Sequence, residues 1–337
     1  MPMAEPLRIA IVGAGAVGGY LGTRLACAGF DVTAIARGAT ADALARHGWR
    51  MDSAGRRWTA PARVATDAAT LGIRDVVVVA VKAPAMAVVA PAVRAMLGPH
   101  TAVVTAMNGI PWWFADGMPS LAGAPLESVD PGGRIGTAIP ASHAIGGVVH
   151  LAASTSEPGV VRHALGNRLI VGEASGAATP RLARLVDALA KAGVDVEVSP
   201  AIRRDIWFKL WGNMTMNPVS ALTGATMDRI LDDPLVNRWC LAVMAEAAAV
   251  GDAIGCPVAE SGEARQAVTR KLGAVRTSML QDVDAGRPLE IDALVASVRE
   301  IGARVGVGTP NLDALLGLVR LKARVLGLYP DDVKAAA

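Results

Sequence analysis

Leu7-Arg-Ile-Ala-Ile-Val12 runs directly into Gly13-Ala14-Gly15-Ala16-Val17-Gly18, and Asp31-Val-Thr-Ala-Ile-Ala36 follows one helical stretch later. The first run is short and rich in β-branched residues, which suits a buried strand. From Tyr20 to Ala28 the pattern is helical and ends at Gly29. The result is a β-α-β unit with its glycines at the strand-to-helix turn. Gly13 allows the tight turn, Gly15 lets the backbone approach a pyrophosphate, and Gly18 lets the helix pack closely on the strand. In a chain with 36 glycines the spacing alone would say little. A strand before it, a helix after it and a second strand at the right distance make it a dinucleotide-binding turn.

The end of the second strand separates two cofactors. A site for NAD usually places an acid there to hold the ribose hydroxyls. This chain has Arg37, with Gly38 and Thr40 behind it. A guanidinium pairs bidentately with a 2′-phosphate, so NADP(H) is expected over NAD(H). The other reading of Arg37 is a solvated surface cation.

Composition narrows the class. A chain of 337 residues favours two domains, and 52% hydrophobic residues supply a substantial core. No run reaches the roughly 18 uninterrupted apolar residues of a membrane helix; the stretch from Leu241 to Ile254 is broken by Glu246 and Asp252. Met1-Pro-Met-Ala-Glu-Pro6 shows neither a basic segment nor a long apolar one, so no secretory signal is expected. Cys27, Cys240 and Cys256 are odd in number and lack paired metal spacing, which leaves a cytoplasmic setting as the default. His143, His150 and His163 share no metal-ligand spacing, so no metal site is expected. A net charge of +3 without a basic block, and only 4% aromatics, argue against nucleic acid.

Further along, Trp49-Arg-Met-Asp and Arg57-Trp-Thr flank Ser53-Ala-Gly55 as a small hairpin. Asp75 to Val81 is almost continuously apolar, as a central parallel strand covered on both faces should be. Lys82 ends that strand on the side where open α/β sheets bind ligands, and is placed either to reach the cofactor or to cap the strand. Thr101 to Ala106 is the next strand, closed by Met107-Asn108-Gly109. Asn108 offers one donor and one acceptor to a carbonyl or carboxamide, or is simply a turn residue before Gly. The pair Trp112-Trp113 reads as a pocket wall or lid, and equally as packing. Short β-rich runs continue from Ile145 to Val171, a helix spans Pro180 to Ala192, and Val194 to Val198 alternates like an edge strand.

Beyond Pro200 the strand patterns stop. Helices are expected at about 202–222, 234–254, 260–272, 289–305 and 311–326. The expected fold class is α/β: a doubly wound, Rossmann-type cofactor domain over 1–199, followed by an all-helical substrate domain over 200–337. Within the first of these helices, Lys209, Asn213 and Asn217 fall at i, i+4 and i+8, one polar stripe amid Trp207, Phe208, Leu210, Trp211, Met214 and Met216. A lysine buried in such company needs a counter-charge and is readily tuned into a proton donor. A solvated lysine beside two surface amides is the plainer reading. Glu290, at a plausible helix start after Ser278-Met-Leu-Gln-Asp282, is either a cap or that counter-charge. Pro218 is placed to end or bend the helix beyond Asn217.

Taken together, Gly13-x-Gly15-x-x-Gly18, Arg37, Val81-Lys82-Ala83, Asn108-Gly109, Lys209-Leu-x-x-Asn213-x-x-x-Asn217-Pro218 and Ser278-Met-Leu-Gln-Asp282 with Glu290-Ile-Asp292 resemble the ketopantoate reductase (2-dehydropantoate 2-reductase) family over nearly the whole chain. The resemblance implies NADPH-dependent reduction of a 2-oxo acid, 2-dehydropantoate to pantoate, as in pantothenate biosynthesis. It makes Lys209 the proton donor and Glu290 its catalytic partner. Asn108, Asn213, Asn217 and Ser278 would hold substrate. Gly13 to Gly18, Arg37, Lys82, Asn108, Ala152 and Glu290 would hold the cofactor. A homodimer is a candidate assembly. Two departures bear on the substrate: Ala225-Thr-Met227-Asp228 stands where the family often has a further Asn, and Trp112 to Gly133 is longer than the usual compact loop. The alternatives are a family member acting on a bulkier 2-oxo acid or related carbonyl, a β-hydroxyacid dehydrogenase, and a non-catalytic NADPH-binding sensor.

Overall fold

A computed structural model describes residues 7–331; the N-terminal hexapeptide read above lies outside the described residues. The chain forms two compact units, one of Met1–Met107 and Gly133–Asp205, the other of Asn108–Gly132 and Ile206–Ala337. The expected boundary after residue 199 therefore differs in two respects. The first unit extends to Asp205, and residues 108–132 belong with the helices.

The first unit is built on one ten-stranded sheet. Its strands are β1 (Arg8–Val12), β2 (Asp31–Ile35), β3 (Trp49–Ser53), β4 (Arg56–Ala60), β5 (Arg63–Ala65), β6 (Val76–Val79), β7 (Ala102–Thr105), β8 (Ala144–Glu157), β9 (Val160–Glu173) and β10 (Asp195–Val198). The order is β4-β3-β9-β8-β7-β6-β1-β2-β5, with β10 also pairing β9. From β5 to β8 every pairing is parallel. All four residues of β6 and of β7 are buried, which is why both read as unbroken apolar runs rather than alternating ones. The helices of this unit are α1 (Ala16–Cys27), α2 (Gly38–His47), α3 (Met86–Arg94), α4 (Arg134–Ala138) and α5 (Pro180–Lys191).

The expected hairpin of β3 and β4 is present and antiparallel. Sequence patterning did not show that β3 also pairs in parallel with β9, matching Arg50–Ser53 to Val160–His163. That long-range pairing draws Trp49 and Met51 into the sheet's core, each 1% exposed. Gly22 of α1 makes room for the Trp49 ring, whose atoms lie where a Cβ would project.

The second unit holds α6 (Ile202–Thr223, from Ile206 onward), α7 (Met227–Asp232), α8 (Pro234–Ala253), α9 (Gly262–Arg270), α10 (Ser278–Asp284), α11 (Ser297–Arg304) and α12 (Pro310–Val325). A π-helical turn, Asp292–Ala296, leads into α11 where one continuous α-helix was expected. Two acids cap helix starts, and one of them, Glu246, is an acid that breaks the apolar stretch from Leu241 to Ile254. Asp233 accepts Leu235 N–H and Val236 N–H, both at 3.0 Å, at the start of α8. Glu246 accepts Asn311 N–H and Leu312 N–H, both at 2.9 Å, at the start of α12. Each satisfies amides that a helix start leaves without intrahelical partners. Trp112, Trp113 and Phe114 are core residues at 5%, 1% and 0% exposure, which settles them as packing rather than a lid. Phe114 stacks on Trp207 with ring centroids 6.2 Å apart. Among the described residues no helix is long and apolar enough to cross a membrane, and no group of three or more His, Cys, Asp or Glu could hold a metal ion.

Candidate active site

α6 carries the candidate stripe of Lys209, Asn213 and Asn217. Its apolar residues Trp207, Leu210, Trp211, Met214 and Val219 are all 2% exposed or less. Burying a side chain of the Leu or Met kind contributes roughly 1.5–3 kcal/mol. Trp211 Nε1 donates to Met244 O at 2.8 Å and ties α6 to α8. The helix runs through Pro218 to Thr223, close to the expected 202–222, so of the two effects open to the proline it does not end the helix. Lys209 and Asn213 are half-buried and Asn217 is 4% exposed, so the stripe is not a solvated face.

Lys209 Nζ donates to Asn108 Oδ1 at 2.9 Å across 101 residues of sequence. Burial pushes the Lys209 ammonium down from its ordinary value to about 8, while the negative charge of Glu290 pulls in the opposite direction. Glu290 itself is 8% exposed. These three residues form an ammonium, an amide that orients it and a carboxylate that compensates it, all within the second unit. A cation tuned to about 8 and fixed by a neighbour can both stabilise a developing oxyanion and give up a proton near neutral pH.

Asn213 and Asn217 follow Lys209 along α6 at one-turn intervals. Ser278 is exposed and opens α10, one residue after Thr277, whose hydroxyl accepts Leu280 N–H at 3.2 Å. Met227, in the segment where the family often has an Asn, is half-buried and begins α7.

The remaining candidates lie in the first unit, along the edge where the parallel strands end. β1 sits between β2 and β6, the point at which the strand order reverses and where open α/β sheets bind their ligands. Gly13 donates to Ile35 O at 3.2 Å and Ala80 to Val12 O at 2.9 Å, so the turn is stitched to both neighbours. Gly13 has φ +91°, and a Cβ there would lie 2.6 Å from Val81 Cγ1, so glycine is required twice over. At Gly15 nothing lies within 4 Å of where a Cβ would be, leaving open space over the start of α1. That helix has no side-chain cap bond and no acid in its first turn. Open backbone at an uncapped, acid-free helix start fits a pyrophosphate. Arg37 is exposed at the N-cap of α2, directly after β2 and free of any acid in the helix's first turn, which fits a 2′-phosphate. Lys82 is half-buried just after β6, and Ala152 is exposed on β8 at an irregularity in its pairing with β9.

Reading the residues alone missed Ala293, whose carbonyl accepts Ile110 N–H at 2.8 Å, and Ser297, whose hydroxyl donates to the same carbonyl at 2.9 Å. The apolar period from Leu289 to Val305 continues smoothly across the π turn and carries no signal of it.

Comparison with known proteins places these features. Residues 9–176 match the family model described as ketopantoate reductase PanE/ApbA, and residues 201–323 match ketopantoate reductase PanE/ApbA C terminal. The chain is 42% identical over 325 residues to a 2-dehydropantoate 2-reductase of Mesorhizobium japonicum, covering 96% of this chain and 100% of that protein. A solved structure from Ralstonia solanacearum MolK2, whose ketopantoate reductase assignment is itself provisional, is 61% identical with TM-score 0.92, covering 96% of this chain and 99% of that one. The 2-dehydropantoate 2-reductase of Geobacter metallireducens GS-15 is 29% identical with TM-score 0.82, covering 94% of this chain and 100% of that one.

Proposed function

Because the chain belongs to the ketopantoate reductase family, we propose that it reduces 2-dehydropantoate to pantoate with NADPH, and that Lys209 delivers the proton. The observation that carries the proposal is the Lys209–Asn108 hydrogen bond beside the Glu290 charge. Such a group is what a carbonyl reductase needs and what a non-catalytic binding protein has no use for.

Bound NADPH supplies a hydride to the carbonyl carbon of the 2-oxo acid. Negative charge then grows on the carbonyl oxygen, and the Lys209 ammonium stabilises it before transferring a proton to it. The Asn108 carboxamide oxygen holds one of the three Nζ hydrogens and thereby aims the others. Glu290 keeps enough positive character on Lys209 for the ammonium to persist near neutral pH, against the burial that disfavours it. The carboxamides of Asn213 and Asn217 and the Ser278 hydroxyl hold the substrate's hydroxyl and carboxylate by directional bonds. Gly13 to Gly18 would receive the pyrophosphate and Arg37 the 2′-phosphate, with Lys82, Ala152, Asn108 and Glu290 as the further candidate cofactor residues.

A cytoplasmic enzyme is in keeping with an odd number of cysteines, three in all, and a homodimer is the expected assembly, measurable by light scattering. The deciding experiment is a panel of 2-oxo acids, including 2-dehydropantoate, assayed with NADPH and NADH in parallel. Turnover of 2-dehydropantoate with NADPH, at least about tenfold more efficient than with NADH, is the expected result. Preferred turnover of a bulkier 2-oxo acid would move the substrate assignment, and no NADPH oxidation across the panel would overturn the activity.

A further inference from the structure

We infer that the π turn Asp292–Ala296 is the device that sets Asn108 against Lys209, with Gly109 and Ser297 as positioning residues. The inference rests on Lys209 and Asn108 acting as proposed above.

In an α-helical register Ser297 N–H would reach back four residues to Ala293 O. Instead it bonds to Asp292 O, five residues back. Ala293 O accepts Ile110 N–H at 2.8 Å and the Ser297 hydroxyl at 2.9 Å. A widened turn thus turns one carbonyl toward a segment nearly two hundred residues away in sequence. Gly109 permits the approach: its φ is +82°, and a Cβ there would lie 2.5 Å from Ala293 O and 2.7 Å from Ala293 Cβ. With Ile110 pinned and Gly109 against the turn, Asn108 keeps little beyond its own side-chain torsions to place Oδ1 on Lys209 Nζ.

The same stretch is held at three further points. Asp292 accepts the Tyr329 hydroxyl at 2.6 Å and Arg320 Nη2 at 3.3 Å, both from the C-terminal part of the unit. Glu300, on α11, accepts Glu127 N–H and Ser128 N–H, both at 2.8 Å, and the Ser128 hydroxyl at 2.6 Å. Glu290 precedes the π turn by two residues. One continuous segment, 290–300, therefore carries the carboxylate that charges Lys209 and the anchors of the amide that orients it. Isolated π turns inside helices commonly mark functional positions, and here the reason is explicit: the extra residue frees a carbonyl for another part of the chain.

The test compares wild type with Gly109→Ala, Ser297→Ala, Asn108→Ala and the two double variants. The readouts are kcat with 2-dehydropantoate, the NADPH dissociation constant, Tm and hydrogen exchange at the Ile110 amide. Gly109→Ala is expected to lower kcat at least about tenfold, and Ser297→Ala about threefold, because small misplacements of catalytic groups are costly. NADPH affinity should fall by no more than it does in Asn108→Ala, since Asn108 is itself a candidate cofactor contact, and Ile110 exchange should accelerate at least about tenfold in both. In the Asn108→Ala background each change should cost under about twofold, since there is no longer an amide to position. Equal losses in both backgrounds, or full kcat in both single variants, would overturn the inference. If Asn108→Ala itself keeps full turnover, the role given to Asn108 fails; unchanged Ile110 protection in Gly109→Ala and Ser297→Ala rejects the positioning device separately. Ser297→Ala only removes a hydroxyl, so it remains informative should Gly109→Ala fail to fold.

Discussion

Lys209 Nζ and Asn108 Oδ1 lie 2.9 Å apart, joining an ammonium on a long apolar helix to an amide three residues beyond the end of β7. The bond gives the lysine a fixed direction, and burial gives it a pKa of about 8. Direction and proton affinity are the two properties a general acid requires.

Lys209→Ala removes both. We expect kcat to fall at least ~10²-fold, the low end for general acid catalysis, with NADPH binding unchanged. Near-normal turnover on the best substrate of the panel would sink the assignment.

The pH dependence follows from the sign of the shift. Reduction needs the protonated lysine, so its rate should fall as pH rises through about 8, and oxidation of the 2-hydroxy acid should rise over the same window. Glu290 raises the lysine's pKa, so Glu290→Gln should move this limb to lower pH. A pH–rate profile of the variant that superimposes on wild type would remove Glu290 from the site.

Arg37 is exposed, so its replacement should leave folding intact. In Arg37→Ala the KM for NADPH should rise at least about tenfold while that for NADH changes little, because only one cofactor carries the 2′-phosphate. Equal effects on both cofactors would mean that the guanidinium does not read that phosphate.

Glu300 joins α11 to residues 127–128 by accepting two backbone N–H bonds and one from the Ser128 hydroxyl, and Arg304 adds bonds to Ala124 O and Pro125 O at 3.0 and 2.5 Å. Glu300→Ala should cost about 2 kcal/mol, since bonds to a charged acceptor are individually worth more than neutral ones. Calorimetry measures the loss, and limited proteolysis should show faster cleavage within residues 115–130. Unchanged stability and cleavage would show that the segment is held elsewhere.

The opening β-α-β unit, the continuous apolar strands and the long helices were legible from local pattern, because period 2, period 3.6 and the glycine turn are properties of neighbouring residues. The stripe of Lys209, Asn213 and Asn217 was legible for the same reason, and so was Arg37 after the second strand. The strand pairing of β3 with β9 was not, since nothing near Trp49 names a partner more than a hundred residues away. Nor was the transfer of residues 108–132 to the helical unit, or the burial of Trp112 and Trp113 as core.

Sequence by itself determined the kinds of groups present: a glycine turn for phosphates, an arginine after the second strand, a lysine among tryptophans and an acid downstream. Only the tertiary structure decided that the lysine is half-buried, that Asn108 is the amide bonded to it, and that a π turn beside Glu290 pins the chain at Ile110. The physical reason is that desolvation and hydrogen-bond direction depend on what the fold packs around a group. Those neighbours are set by backbone carbonyls such as that of Ala293, which every residue possesses and no side-chain pattern reveals.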